Sequence, residues 1–257
     1  MSGVGNITIG DLLSSKDSSI SFIGKGNILY IEPGVRLECC NIVFKGDNIL
    51  VYLSANKNSY RVNILVHDSN IVFFGRDVYF NNRMLLIASE SKNIFIGDGC
   101  LFSIGVVLRN ADAHLIYDID NKTRLNYTKS IYVGDHVWVG QNSLILKGTM
   151  IGSGSILGGG SVISNKTVPS NTIWAGNPAK QTRDNIFWSE ECVHAWNQEK
   201  TDEMLTRENP FPLKYDESSI PIIAFEQGVS GILLSDERLN YILNNFIDKP
   251  YRMFIRR

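Results

Sequence analysis

The chain has 257 residues, 44% hydrophobic and 20% charged, which fits one large globular domain, or one with an appendage, and excludes a disordered chain. Twenty-five Lys and Arg stand against 26 Asp and Glu, so a net charge of −1 excludes the overall basic field of a nucleic-acid or anionic-membrane binder. Cys39, Cys40, Cys100 and Cys192 make no CxxC pair, which argues against both a zinc site and a disulfide framework and for a reducing compartment.

The opening MSGVGNITIGDLL lacks a basic start followed by an apolar run, and no stretch approaches the roughly 18 apolar residues of a membrane span. A cytoplasmic protein with no integral membrane segment is expected. Residues 1–25 are read as an N-terminal cap. Next come four runs rich in β-branched and aromatic residues, opened by Asn27-Ile28, Asn48-Ile49, Asn70-Ile71 and Asn93-Ile94 at separations of 21, 22 and 23 residues. They continue into Ile96, Phe102 and Leu108. The polar segment LIYDIDNKTRLNYTKS then interrupts the pattern and predicts an extruded loop over 115–130.

Beyond the loop the repeat tightens. Val133, Val139, Ile145, Ile151, Leu157 and Ile163 recur every six residues, with Trp138, Leu144, Met150, Ile156 and Val162 one place before and small or β-branched residues two places before. A helix needs a period near 3.6 and a plain strand a period near 2, so this spacing predicts a solenoid. Each hexad supplies a short strand and a corner, and three hexads close a triangular coil. Coils stacked about 4.8 Å apart satisfy one another's strand hydrogen bonds. Val133 is therefore expected under Ile151, Val139 under Leu157 and Ile145 under Ile163. The repeat stops at VPSNTIWAGNPAK, a turn leaving the solenoid. In the C-terminal part, FWSEECVHAWNQEKTDEML reads as a helix, NPFPLKYDESSIP as a linker, and SDERLNYILNNFID as a second helix capped by Ser235. The expected organisation is a cap over 1–25, a solenoid over 26–183 and a partly helical extension over 184–257.

The segment IYVGDHVWVGQNSLILKGTMIGSGSILGGGSVISNKTVPSNTIWAGNPAK resembles the hexapeptide-repeat acyltransferases, whose fold is a left-handed parallel β-helix. The paired signatures VGDHVWVG and AGNPAK, with the preceding RNADAHLIYD, look like the acetyl-CoA-dependent O-acetyltransferases of bacterial capsular and other surface sugars, polysialic acid among them. The resemblance covers roughly 94–183. It implies left-handedness, acetyl-CoA as co-substrate, no metal, and a homotrimer with its sites between subunits.

Acetyl transfer to a hydroxyl needs a base, because an alkoxide is inaccessible near neutral pH while a placed imidazole can take the proton. His114, where the hexad frame breaks, matches the family's catalytic base; otherwise it is a surface residue. Asp112 either orients that imidazole or forms a turn with Asn110. Trp138 is either a core ring or, as the resemblance suggests, a wall of the acceptor–thioester tunnel. Gly140, Gly158, Gly159 and Gly160 either serve corners or offer amides to the pantetheine arm. Lys166, Lys180 and Arg183 either face solvent or neutralise the nucleotide phosphates. Tyr117, Lys122 and Arg124 on the extruded loop are candidate acceptor contacts, Arg124 for the carboxylate of an acidic sugar. His136 is read as outward, and His67 and His194 as standing in unrelated contexts, so no zinc triad is evident. The leading expectation is an acetyl-CoA:sugar O-acetyltransferase acting on a bacterial surface polysaccharide in a ternary complex. The alternatives are an acetyltransferase for a small acceptor, such as a nucleotide-linked sugar or an amino acid, and a non-catalytic solenoid binding module.

Overall fold

The structure, a computed structural model, describes residues 5–209, 221–247 and 253–256. Stacked coils form a three-sided prism. Face I has eight strands, from Ile7–Ile9 at one end to Thr167–Val168 at the other. Face III has seven, from Ser19–Ile23 to Val162–Ile163. Face II begins with the pair Ser14–Lys16 and Arg36–Glu38 and resumes with six strands, from Tyr79–Phe80 to Ala179–Arg183. On the three faces every strand pairing among the described residues is parallel except the final hairpin, in which Ile173–Gly176 meets Ala179–Arg183. The chain is thus a left-handed parallel β-helix with an extruded loop and a partly helical C-terminal part.

The hexad register follows from burial. Val133 pairs with Ile151, Val139 with Leu157 and Ile145 with Ile163, and all six point inward with at most 1% exposure. Each such side chain contributes about 1.5–3 kcal/mol through burial. The small residues two places earlier are buried at the corners: Ser143 Oγ donates to Gly158 O at 3.0 Å and Ser155 Oγ to Pro169 O at 2.8 Å.

In the wide coils the Asn-Ile openers are not all in one register, because Ile28 pairs with Leu50, Leu50 with Ile71, and Val72 with Ile94. The coils slip by single residues at their corners. Buried asparagines bridge these corners: Asn27 Oδ1 accepts from Ile49 N at 2.9 Å, Asn93 Oδ1 from Ile71 N at 3.0 Å and Asn110 Oδ1 from Ser89 N at 2.8 Å. Residues 7–23 already have coil form, pairing in parallel with 28–30 and 41–45.

The outer side of face I carries one ring per coil, in register: Tyr30, Tyr52, Phe73, Phe95 and Tyr132, with centroids 4.5–5.6 Å apart. Helices α2 (Ile222–Ser230) and α3 (Ser235–Asn245) cover this column, with Phe225 and Phe246 set edge-on to Phe95. A Cβ on Gly228 of α2 would stand 2.0 Å from the Tyr241 hydroxyl of α3, so a side chain there would displace the Tyr241 ring. The buried Arg238 guanidinium donates to Asn48 O and Ser69 O at two successive corners.

The sequence reading of this C-terminal part needs correction. FWSEECVHAWNQEKTDEML contains only a 3-10 turn, Val193–Ala195, and a short helix α1, Gln198–Glu203, capped by Asn197. Ser235 is the first residue of α3 rather than its cap, and its hydroxyl donates to Gly26 O. Helix α2 was not anticipated. Most of the expected linker, 210–220, lies outside the described residues.

Candidate active site

The loop leaves the prism after the strand Val107–Arg109 and returns at Ile131–Val133, at the corner between faces III and I. It is a built hairpin. Tyr117 bridges Arg124 in antiparallel fashion, and Asp118 Oδ1 accepts from the amides of Asp120 and Asn121 at 2.9 and 3.0 Å. The Asn126 side chain secures the stem, accepting from Ile116 N at 2.9 Å and donating to His114 O at 2.7 Å and Asp112 Oδ2 at 3.0 Å.

Between this hairpin and the outer side of face III lies a groove of about 540 Å³. It brings together His114, Asp112 and Arg124, three of the residues singled out from sequence, and adds His67 and Glu90. The His114 ring is exposed, and no hydrogen bond holds it among the described residues. Asp112 does not orient that ring: its carboxylate accepts from Lys147 Nζ at 2.5 Å and from Asn126, and the bond from Lys147 holds its pKa below the usual carboxylate range. Arg124 donates to Glu90 at 2.8 Å and lies 5.3 Å over the Tyr127 ring, while the same bond pulls the Glu90 pKa down. Thr128 also donates to Glu90. Tyr117 and Lys122 do not line the groove, and the Lys122 amine donates to Ile119 O within the hairpin.

His67 was misplaced by the sequence reading. Its Nδ1 lies 3.0 Å from both Ala88 O and Ser89 Oγ. A carbonyl can only accept, so Nδ1 is the donor to Ala88 O. Stacking successive coils on face III brings this ring into the groove of His114, a proximity invisible along the chain.

Trp138 sits elsewhere, on face II. It is 39% exposed, which overturns the reading of it as a core ring, and its Nε1 donates to Ser103 Oγ at 3.3 Å. Beside it Trp188 stacks on His136, with centroids 3.9 Å apart and planes 2° from parallel. His136 is therefore buried rather than outward, and burial lowers its pKa.

The four glycines at the corner between faces II and III separate into two kinds. A Cβ on Gly140 would stand 2.4 Å from Gly159 N and one on Gly158 2.9 Å from the Ala175 Cβ, so stacking itself demands those two. Gly160 has φ +68°, and Gly159 is exposed with its nearest non-neighbouring atom, Gln141 O, at 3.3 Å from a Cβ position. The amides of Gly140, Gly158 and Gly160 donate to Leu157 O, Trp174 O and Gln141 O. Of the four, Gly159 alone has no acceptor among the described residues.

Lys180 and Arg183 are exposed on the final hairpin of face II, opposite Ala175 and Ile173. Lys166 is exposed at the other corner, between faces III and I. The three cations therefore do not form one cluster. Among the described residues no three His, Cys, Asp or Glu side chains gather as a metal site, and no helix is long and apolar enough to cross a membrane.

The family description "Bacterial transferase hexapeptide (six repeats)" matches residues 130–165. A polysialic acid O-acetyltransferase of Neisseria meningitidis is 35% identical over 194 residues, 75% of this chain and 90% of that protein. Another, from Escherichia coli O1:K1 / APEC, is 38% identical over 73% of this chain, which spans 60% of the length of that relative. The crystal structure of the polySia-specific acetyltransferase NeuO superposes with a TM-score of 0.69 at 33% identity, covering 79% of this chain and 88% of NeuO. With a 35% identical relative covered almost throughout, the chain belongs to the bacterial hexapeptide-repeat O-acetyltransferases, the acyltransferase family that includes these polysialic acid O-acetyltransferases.

Proposed function

We propose that this enzyme transfers the acetyl group of acetyl-CoA to a hydroxyl of a sialic-acid polymer of the bacterial capsule. The observation that carries the reading is the groove at His114, in a chain 35% identical to a polysialic acid O-acetyltransferase. The imidazole takes the hydroxyl proton as the sugar oxygen attacks the thioester carbonyl. The tetrahedral adduct collapses by breaking the C–S bond, and the proton passes from the imidazolium to the departing sulfur, giving the acetyl ester and free coenzyme A thiol.

The corner at Gly158–Gly160 suits the pantetheine arm, since Gly159 is exposed and its amide is unengaged, while Lys180 and Arg183 on the adjoining hairpin suit the phosphates. His114 and Trp138 stand on different parts of the prism, so one protomer does not supply both to a single site. The loop also exposes Leu115, Ile116, Tyr117, Ile119, Leu125 and Tyr127 at 52–81%, too much apolar surface for a solvated hairpin. We take both features as support for a homotrimer in which the loop of one subunit meets the tryptophan face of the next. The described cysteines are free, which supports a reducing, cytoplasmic compartment.

The test is incubation with acetyl-CoA and purified polysialic acid, reading released thiol and the acetyl content of the polymer by mass spectrometry. Acetylated polymer is the expected result. Thiol release only with a nucleotide-linked sugar or an amino acid would replace this reading with the small-acceptor enzyme, and coenzyme binding without thiol release from any acceptor would leave a binding module.

A further inference from the structure

A second groove, of about 550 Å³, opens on the other side of the loop stem. One wall is the stem itself, residues 127–130, and the other is the flank of α2. Its origin lies in helix periodicity: Phe225 and Val229 bury themselves on the aromatic column, which turns Ile223, Glu226 and Gln227 toward the stem. The floor includes Tyr132, the last ring of the column.

Three features mark this groove as a ligand site. Tyr132 is only 2% exposed, and among the described residues its hydroxyl has no partner at full hydrogen-bond geometry, although Ser130, Glu226 and Asn93 lie around it. The neighbouring Ser130 hydroxyl is engaged, donating to Glu226 and accepting from Asn93 N. A buried phenol whose neighbours are poorly aligned or already engaged is disfavoured, and a hydroxyl brought by a ligand relieves it. Lys92 and Lys129 on the lining outnumber its one carboxylate, Glu226, so the groove favours an acidic ligand. Finally, the two grooves share a saddle: Arg124 lines the His114 groove, Tyr127 lines this one, and the guanidinium lies over the Tyr127 ring.

We infer that the groove under α2 binds a further sugar of the acidic acceptor polymer, which crosses the Arg124–Tyr127 saddle from the residue being acetylated at His114. The exposed Tyr127 ring and Ile223 offer apolar surface to a sugar face, Tyr132 and Gln227 meet hydroxyls, and the lysines attract the carboxylate. The C-terminal helices thereby act in acceptor choice, selecting a polymer over a single sugar. This inference rests on the sialic-acid polymer being the acceptor.

Two variants of the full chain test it. Ile223→Trp fills the groove from an exposed helix position, and Tyr132→Phe removes only the hydroxyl while keeping the ring. Each is expected to raise KM for long polysialic acid about fivefold, the loss of roughly one hydrogen bond, with KM for a two-sugar sialoside and for acetyl-CoA within about twofold of wild type. An unchanged polymer KM overturns the inference, as does an equal rise for the short acceptor. A change in oligomeric mass by light scattering would make the groove an interface between copies, and overturns it too. If the wild type neither acetylates polysialic acid nor binds it in calorimetry, the proposed function falls and this site with it; if the wild type acetylates but the variants match it, only the site falls.

Discussion

The wide coils before the loop and the hexad coils after it solve the same stacking problem with different materials. In the wide coils, strands of up to six residues are joined by irregular corners that buried asparagines bridge. In the hexad coils the strands shrink to two or three residues, and the corners consist of Ser, Thr and Gly, packed so closely at Gly134, Gly140 and Gly152 that a Cβ there would collide with backbone. The loose region tolerates slips and displays long strand faces, on which an aromatic column and the His67 side of the groove are built. The strict region has little spare surface, so its exposed features, Trp138 and Gly159, stand out as candidates for ligand contact.

Substitutions can break that contrast, and the largest effect belongs to the junction between the two regions. His114→Ala is expected to reduce turnover by roughly 10²–10⁴ while leaving the thermal melt and coenzyme binding intact; a variant keeping half of wild-type turnover removes His114 from the chemistry. In the wide coils, Phe95→Ala takes out the ring that meets Phe73, Tyr132, Phe225 and Phe246. It should cost about 3–5 kcal/mol in denaturant unfolding, and a loss below about 1 kcal/mol would mean that the column is not cooperative with the helices.

The glycine corner offers a paired test within the strict region. Gly140→Ala should lower Tm, because its Cβ meets backbone, whereas Gly159→Val should leave Tm near wild type and raise the acetyl-CoA KM about tenfold. Equal behaviour of the two would show that Gly140 and Gly159 serve the corner alike. Arg124→Ala is a milder perturbation, since that guanidinium is already paired with Glu90. It should raise the acceptor KM about two- to fivefold and weaken its salt dependence without altering the acetyl-CoA KM.

The smallest expected effect is a pH dependence at the His136–Trp188 stack. Burial lowers the folded-state pKa of His136, so the unfolded chain takes up this proton first as pH falls. Its contribution is fully present above the ordinary imidazole range and is lost on acidification through that range. Tm measured at about pH 8 and about pH 5 should therefore fall more steeply for the wild type than for His136→Gln. Parallel slopes would show that the stack does not sense protonation.

The hexad register was legible because a coil cross-section leaves room for one inward aliphatic per side, and that requirement writes a period of six into the chain. The extruded loop was legible for the complementary reason, a polar run that no coil could bury. The company His114 keeps was not: His67 joins it through stacking on face III, and Lys147 claims Asp112 from beyond the loop. Helix α2 escaped notice because its apolar positions answer to a distant ring column, Phe225 to Phe95 above all, and Gly228 looks like a breaker until the Tyr241 contact is seen. The separate fates of the four glycines could not be read either, since identical letters differ only in what lies one coil above.

The Arg238 link to Asn48 joins residues 190 apart in sequence, and it shows when the molecule is finished. The solenoid can zip up coil by coil as it is synthesised, each new turn adding to the last. Yet the rings along its first face stay bare until the final helices are made, so a nascent chain carries a sticky aromatic seam for most of its birth. Stalled or prematurely terminated products would display that seam permanently, making them clients for chaperones that mask aromatic surface and substrates for quality-control proteases.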